Sequence, residues 1–181
     1  ISNYLKKKKI DHIKIREPGG NKNSEKIRNL ILNNKSNFNN NTDLLLYLAA
    51  RSENIEYLKK YYKKKIILID RFIDSTIAYQ HFGMGVDLSI IKKINKHLIK
   101  NFNVNFTFLN TVNQKNMKNR LKKRKKLNRY DLFDYNFYKR VQNGFLKIAK
   151  KNKSKYQIID SNKEIKFNEE IIINKIKNFI T

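Results

Sequence analysis

Four short runs rich in β-branched and aromatic residues, at 12–15, 66–70, 105–110 and 156–160, alternate with longer stretches whose apolar positions recur at helical spacing. Runs of that length and composition predict buried strands. The intervening stretches predict helices over 25–34, 42–63, 88–101, 114–126, 132–150 and 168–179, and a helix-like segment over 72–82. Regular alternation of strand and helix predicts an α/β fold, a three-layer parallel sheet with helices on both faces. The polar stretch 35–41 reads as a loop, with Thr42 as the cap of the helix that follows. No repeat and no linker interrupts the pattern, so residues 1–181 are expected to form one domain.

Ligands of such sheets bind beyond the carboxyl ends of the strands. Three segments fall there: 16–20, 70–80 and the basic stretch that follows 110. The first, Arg16-Glu17-Pro18-Gly19-Gly20, holds the only proline and makes a sharp turn with bare backbone that a ligand can approach. In the second, an apolar strand ends on Asp70, followed by Arg71 and a segment bearing Ser75, Thr76, Tyr79 and Gln80. A strand-terminal carboxylate is a form used for a metal-associated group in phosphoryl transfer, and the hydroxyls, amide and phenol after it suit a polar pocket wall. In the third, Arg120 and Arg124 share one helix face by their spacing and, with Arg129, could close over a polyphosphate. Further back, Tyr47 and Arg51 lie one helical turn apart in an apolar helix. They read either as a core ring with a snorkelling cation or as a stacking ring with a hydrogen-bonding fork.

Composition changes this picture little. A chain of 181 residues and 21.7 kDa can bury a core unaided. The absence of cysteine excludes disulfides and thiolate ligands, and no apolar run is long enough to span a bilayer, so a cytoplasmic protein without membrane attachment is expected. The formal charge of +26 would suit a polyanion partner, but the excess is of Lys with Asn and Ile, the residues spelled by A/T-rich codons. Charge alone therefore names no nucleic-acid partner. The same bias makes arginine informative, because a planar bidentate fork is not replaced by lysine.

Taken in order, REPGG, LLLYLAAR, DRFIDSTIAYQ and NRYDLFDYNFYKRVQNGFLKIA resemble the thymidylate kinase family over almost the whole chain. The resemblance implies the P-loop nucleoside monophosphate kinase fold and transfer of a phosphoryl group from ATP to dTMP, with Mg2+, in dTTP biosynthesis. It implies that Tyr47 stacks on thymine, that Arg51 bonds a thymine carbonyl, and that Thr76 and Gln80 contact the base. Tyr79 would crowd the sugar 2′ position, while Pro18, Arg28 and Arg71 would border the monophosphate. Asp70 would lie near Mg2+ and the reacting phosphate, and Arg120, Arg124 and Arg129 would belong to a lid over about 113–130. A homodimer is left open.

The departures from that family are as informative. Asn21 stands where Thr is usual and Asp131 where Glu is usual. No stretch matches the phosphate-binding loop GxxxxGK(S/T), and the first strand of the family sheet has no counterpart, so the sheet is expected to be interrupted between the strand ending at Asp70 and the next. Phosphoryl transfer by these residues alone is not expected. Two other functions stay open on the sequence: a basic nucleic-acid-binding protein, and a dTMP-binding protein unable to use ATP.

Overall fold

A computed structural model describes residues 1–180. Its helices are α1 (Ser2–Lys7), α2 (Lys22–Leu32), α3 (Asn40–Lys59), α4 (Ile73–Thr76), α5 (Leu88–Ile99), α6 (Gln114–Lys122), α7 (Tyr135–Lys151) and α8 (Ile165–Ile180). Its strands are β1 (His12–Arg16), β2 (Ile66–Asp70), β3 (Thr107–Thr111) and β4 (Tyr156–Asp160). The α/β alternation read from the sequence is the one found. Among the described residues no helix is long and apolar enough to cross a membrane.

The strands pair in parallel as two separate ladders, β1 with β2 and β3 with β4, in registers that run from His12–Ile66 to Arg16–Asp70 and from Thr107–Tyr156 to Thr111–Asp160. The interruption between β2 and β3 is thus present as expected. Each of these strands ends its carboxyl side on a polar residue: Arg16, Asp70, Thr111 and Asp160.

Helix ends differ from the sequence reading where side chains cap them. Thr42 lies inside α3, and Asn39 is the cap, its Oδ1 accepting the Thr42 N–H at 2.9 Å. Asn21 caps α2 in the same way, accepting from the N–H groups of Asn23 and Ser24. The basic helix expected to reach 126 stops at Lys122, the first residue of the Lys-Lys-Arg-Lys-Lys run, where neighbouring cations repel and no apolar face is left to bury. Beyond α4 the chain widens into a π-helical segment, Ile77–Gly83, in place of a continued α-helix.

Three apolar clusters hold these pieces together. Ile15 of β1 meets Ile55 and Leu58 of α3 and Phe102; Leu44 and Leu48 of α3 meet Val86 and Ile91; Ala78 of the π segment meets Phe137 and Val141 of α7. Fully burying one such aliphatic side chain is worth about 1.5–3 kcal/mol. The buried stripe of α3 reads Leu44, Leu48, Arg51, Ile55 and Leu58, so helical periodicity carries an arginine into the middle of the core.

Candidate functional site

Beyond the carboxyl ends of β1 and β2 lies a cavity of about 490 Å³. It gathers residues from segments far apart in the sequence: Pro18, Arg28, Tyr47, Arg51, Arg71, Thr76, Tyr79, Gln80, Arg120 and Arg124 all line it. The π widening does not disperse the polar wall, for Ser75, Thr76, Tyr79 and Gln80 still line the cavity together. Asp70 and Arg129, also expected at the site, are not among its lining residues.

Arg51 is 1% exposed, so it does not snorkel; a buried guanidinium has to be paired. Nε and Nη2 donate to Glu17 Oε2 at 2.8 and 2.6 Å, Nη1 donates to Asn95 Oδ1 at 2.6 Å, and Nη2 donates to Thr76 Oγ1 at 2.9 Å. A guanidinium has five N–H groups, so one on Nη1 stays unassigned. The Phe72 ring lies 5.0 Å from the guanidinium carbon. Burial pushes the Glu17 carboxyl above its ordinary range, against the pull of Arg51, and its Oε1 is buried without a partner.

The turn before α2 supplies the next wall. Gly19 and Gly20 have φ of +106° and +111°, and a Cβ on Gly20 would stand 2.2 Å from Ile15 Cγ1, so the turn admits only glycine there. Asn54 Nδ2 holds the Gly19 carbonyl at 2.8 Å, and Arg28 Nη1 holds the Pro18 carbonyl at 2.7 Å. Burial lowers the Arg28 pKa, and the cations of Arg16 and Arg71 lower it further. Three guanidinium groups crowd one corner, and an anion among them would relieve that repulsion. Arg71 is exposed at the mouth, in the left-handed region at φ 65°, a conformation that non-glycine residues keep chiefly where the surroundings enforce it. Its Nη2 donates to Tyr79 Oη at 3.3 Å and its guanidinium sits 5.0 Å over the Tyr79 ring.

The far wall is aromatic and acidic. Tyr47 meets Tyr130 edge to face at 6.0 Å, and burial lifts the Tyr47 phenol to about 12. Tyr79 is braced edge-on by Tyr130, Phe137 and Phe145. Asp43, 1% exposed in the first turn of α3, accepts hydrogen bonds from Arg129 and from the Tyr130 hydroxyl, and from Gln80 Nε2 at 3.3 Å. Gln80 Nε2 also donates to Tyr130 Oη at 3.1 Å, while Gln80 Oε1 is buried with no partner.

That arrangement moves Arg129 away from the role read in the sequence. It is held in an ion pair with Asp43, which anchors the 3-10 turn Arg129–Leu132 to α3. Asp70 ends β2 exposed; desolvation lowers the Arg71 pKa, but Tyr79 first, then Tyr47, and Asp70 least of the three, raise it above its ordinary value. Arg120 Nη2 donates to the Ser161 carbonyl at 2.6 Å, and Arg124 pairs with Asp131, which also accepts the Asn128 N–H in a capping box. Both are exposed and keep further N–H groups for a ligand.

Sequence reasoning missed Asp43, Glu17, Asn95 and Tyr130 as parts of this site. One signal was present: with 15 acidic against 41 basic residues, each carboxylate inside an apolar or turn segment is unusual. Asp43 resembled an ordinary charge at a helix start, and nothing local distinguishes the two.

A family model described as Thymidylate kinase matches residues 1–172. The chain is 35% identical over 180 residues to a thymidylate kinase of Sulfurihydrogenibium, covering 98% of this chain and 87% of that one. It is 33% identical over 179 residues to a thymidylate kinase of Acholeplasma laidlawii, covering 97% and 89%. Among solved structures, a crystal structure of thymidylate kinase from Ehrlichia chaffeensis superposes with a TM-score of 0.72 at 32% identity, covering 92% of this chain and 80% of that one.

Proposed function

The chain belongs to the thymidylate kinase family, and we propose that its cavity is the dTMP site of an ATP:dTMP phosphotransferase that yields dTDP. The observation that carries this is the pairing left open at the base end: one buried acceptor without a partner, Gln80 Oε1, and one Arg51 N–H without an acceptor. Thymine offers the complement, a ring N–H beside a carbonyl oxygen. Cytosine offers the reverse, a ring lone pair beside an amino group, and would leave buried groups unpaired.

The other walls suit the rest of that ligand. Tyr47 supplies a ring face for the base, its own ring braced by Tyr130. Tyr79, packed between three aromatic rings, is rigid enough to exclude a 2′-hydroxyl by contact. Thr76 acts through Arg51, whose fork it helps to hold. Arg71 and Arg28 would clamp the monophosphate, with Pro18 fixing Arg28 through its carbonyl.

Asp70 would hold Mg2+, an exposed oxygen donor of the kind this ion takes in ones and twos while keeping its waters. When bound, the ion neutralises charge on the phosphate oxygens. Arg120 and Arg124 would reach donor phosphates by exchanging the Ser161 carbonyl and the Asp131 carboxylate for them. Arg129 would stay on Asp43 as the hinge end of that lid. ATP phosphates need the backbone cradle and lysine of a phosphate-binding loop, which these 181 residues do not contain, so turnover would require such a loop in addition.

Titration calorimetry of the 181-residue chain with dTMP, dCMP and the ribonucleotide of thymine tests the site. We expect dTMP to bind at least ~10-fold tighter than dCMP, the scale on which a hydrogen-bonding pocket rejects a mispaired analogue. Equal binding of dTMP and dCMP would remove the assignment of Arg51 and Gln80.

A further inference from the structure

We propose that Asp43 is a positioning residue that sets the base preference of this cavity without touching the ligand, by deciding which end of the Gln80 amide is left for it. The proposal rests on the dTMP reading above and adds the cause of its selectivity. An amide side chain is ambiguous by itself, since either its oxygen or its NH2 can be offered to a ligand. In this site the ambiguity is removed by a one-way chain of donors.

Asp43 is acceptor-only and is fixed by its ion pair with Arg129. A phenol hydroxyl has a single hydrogen, and Tyr130 gives it to Asp43 Oδ2. The Tyr130 oxygen can then only accept, and it accepts from Gln80 Nε2 at 3.1 Å. The same nitrogen donates to Asp43 Oδ2 at 3.3 Å. Both acceptors lie on the same side of Nε2, so the NH2 end of the amide is turned to the acidic wall, and Oε1 is left on the other side, buried and unpartnered.

Turning the amide round would set its oxygen against a carboxylate oxygen and against a phenol oxygen whose hydrogen is already committed. In a residue 0% exposed, no water would repair those two acceptor–acceptor contacts. Gln80 is thus locked as an acceptor toward the ligand, which selects a base edge carrying a ring N–H and rejects one carrying a ring lone pair. The lock begins at Asp43, in the first turn of α3, and runs through Tyr130 of the 3-10 turn.

The substitution Asp43→Asn tests this, because an asparagine can donate where the carboxylate cannot. Tyr130 could then accept from it and turn its own hydrogen toward Gln80, and the Gln80 amide would be free to flip. Calorimetry with dTMP and dCMP is run on the parent, on Asp43→Asn and on Tyr130→Phe, each checked for fold by circular dichroism. In Asp43→Asn we expect weaker dTMP binding, tighter dCMP binding, and a fall in the dTMP:dCMP ratio of about 10-fold or more. In Tyr130→Phe the direct bond from Gln80 to Asp43 survives, and a smaller fall is expected.

A merely structural role would weaken both nucleotides alike and leave the ratio at its parental value; that result overturns the proposal. Should Asp43→Asn not fold, an unchanged ratio in Tyr130→Phe overturns it equally. A parent that binds the two nucleotides alike would overturn the dTMP reading, and this proposal with it. A parent that discriminates, with variants that discriminate equally well, removes only the role of Asp43.

Discussion

Replacing Arg51 with methionine keeps an unbranched apolar stem on the buried stripe of α3 and deletes the guanidinium. Glu17 then loses its two bonds of 2.8 and 2.6 Å, and its Oε1 has no partner even in the parent. Asn95 and Thr76 lose a donor each. Removing one member of a buried pair costs about 3–5 kcal/mol, against a total stability of about 5–15 kcal/mol for a domain. Arg51→Met should therefore lose on the order of a third or more of its stability at pH 7.

The loss has a definite pH dependence. The Glu17 carboxyl is already raised by burial, and without Arg51 nothing comparable opposes that. A carboxyl raised in the folded state contributes stability that is present below the ordinary glutamate pKa and is lost as pH rises through the folded value. The deficit of Arg51→Met should thus shrink as pH falls from 7 toward 5. The double variant Glu17→Gln/Arg51→Met buries no charge here and should return to within ~2 kcal/mol of the parent. Urea unfolding of the three proteins at pH 7 and pH 5 measures all of this. A loss below ~1 kcal/mol at pH 7, the range of an exposed ion pair, would refute the picture of a desolvated pair. So would a double variant less stable than Arg51→Met alone.

Two further substitutions probe other parts of the chain. Arg71→Lys should weaken dTMP binding by ~1–3 kcal/mol, the scale of a lost charge-assisted bond, and leave thymidine, which has no phosphate, nearly unchanged; equal weakening of both by calorimetry would make Arg71 structural. Asp74 accepts the Tyr156 hydroxyl at 2.5 Å, and burial raises its carboxyl although that bond opposes the shift. Its neutral form is the one the fold favours, so stability from it is complete below pH 3.8 and declines as pH rises through the raised value. Asp74→Asn should accordingly be at least as stable as the parent at pH 7, with the difference closing toward pH 4; thermal unfolding across that range that shows the opposite trend would count against the assignment.

Some elements were readable from local pattern because no other conformation suits them. The runs 66–70 and 156–160 became β2 and β4 with the expected bounds, since a short β-branched run between polar residues buries itself only as a strand. The turn at Gly19 and Gly20 follows from residue type alone. So do the cavity-lining positions after β2, because the ends of parallel strands collect the chain's polar groups in one place. The interruption between β2 and β3 was likewise legible, from a missing strand in an otherwise matching order of motifs.

What the chain could not disclose locally was the state of its charges and the course of one helix. The i, i+4 spacing of Ser75, Thr76, Tyr79 and Gln80 fits an α-helix, yet the segment widens to π where it packs on α7, Gly144 lying so close that a Cβ there would stand 2.5 Å from Phe82 Cδ2. Arg51 reads as a snorkelling cation until Glu17, 34 residues earlier, is folded against it. Arg129 reads as a mobile lid residue until Asp43, 86 residues earlier, takes it up. Hydrophobic periodicity is written in neighbouring residues, so the strands, most of the helices and their order were legible along the chain, while the resemblance to the family lay in the order of its motifs. Whether a charge is buried depends on a partner that only folding brings near, so which arginines keep N–H groups toward the cavity and which are taken up by carboxylates was settled by the tertiary structure.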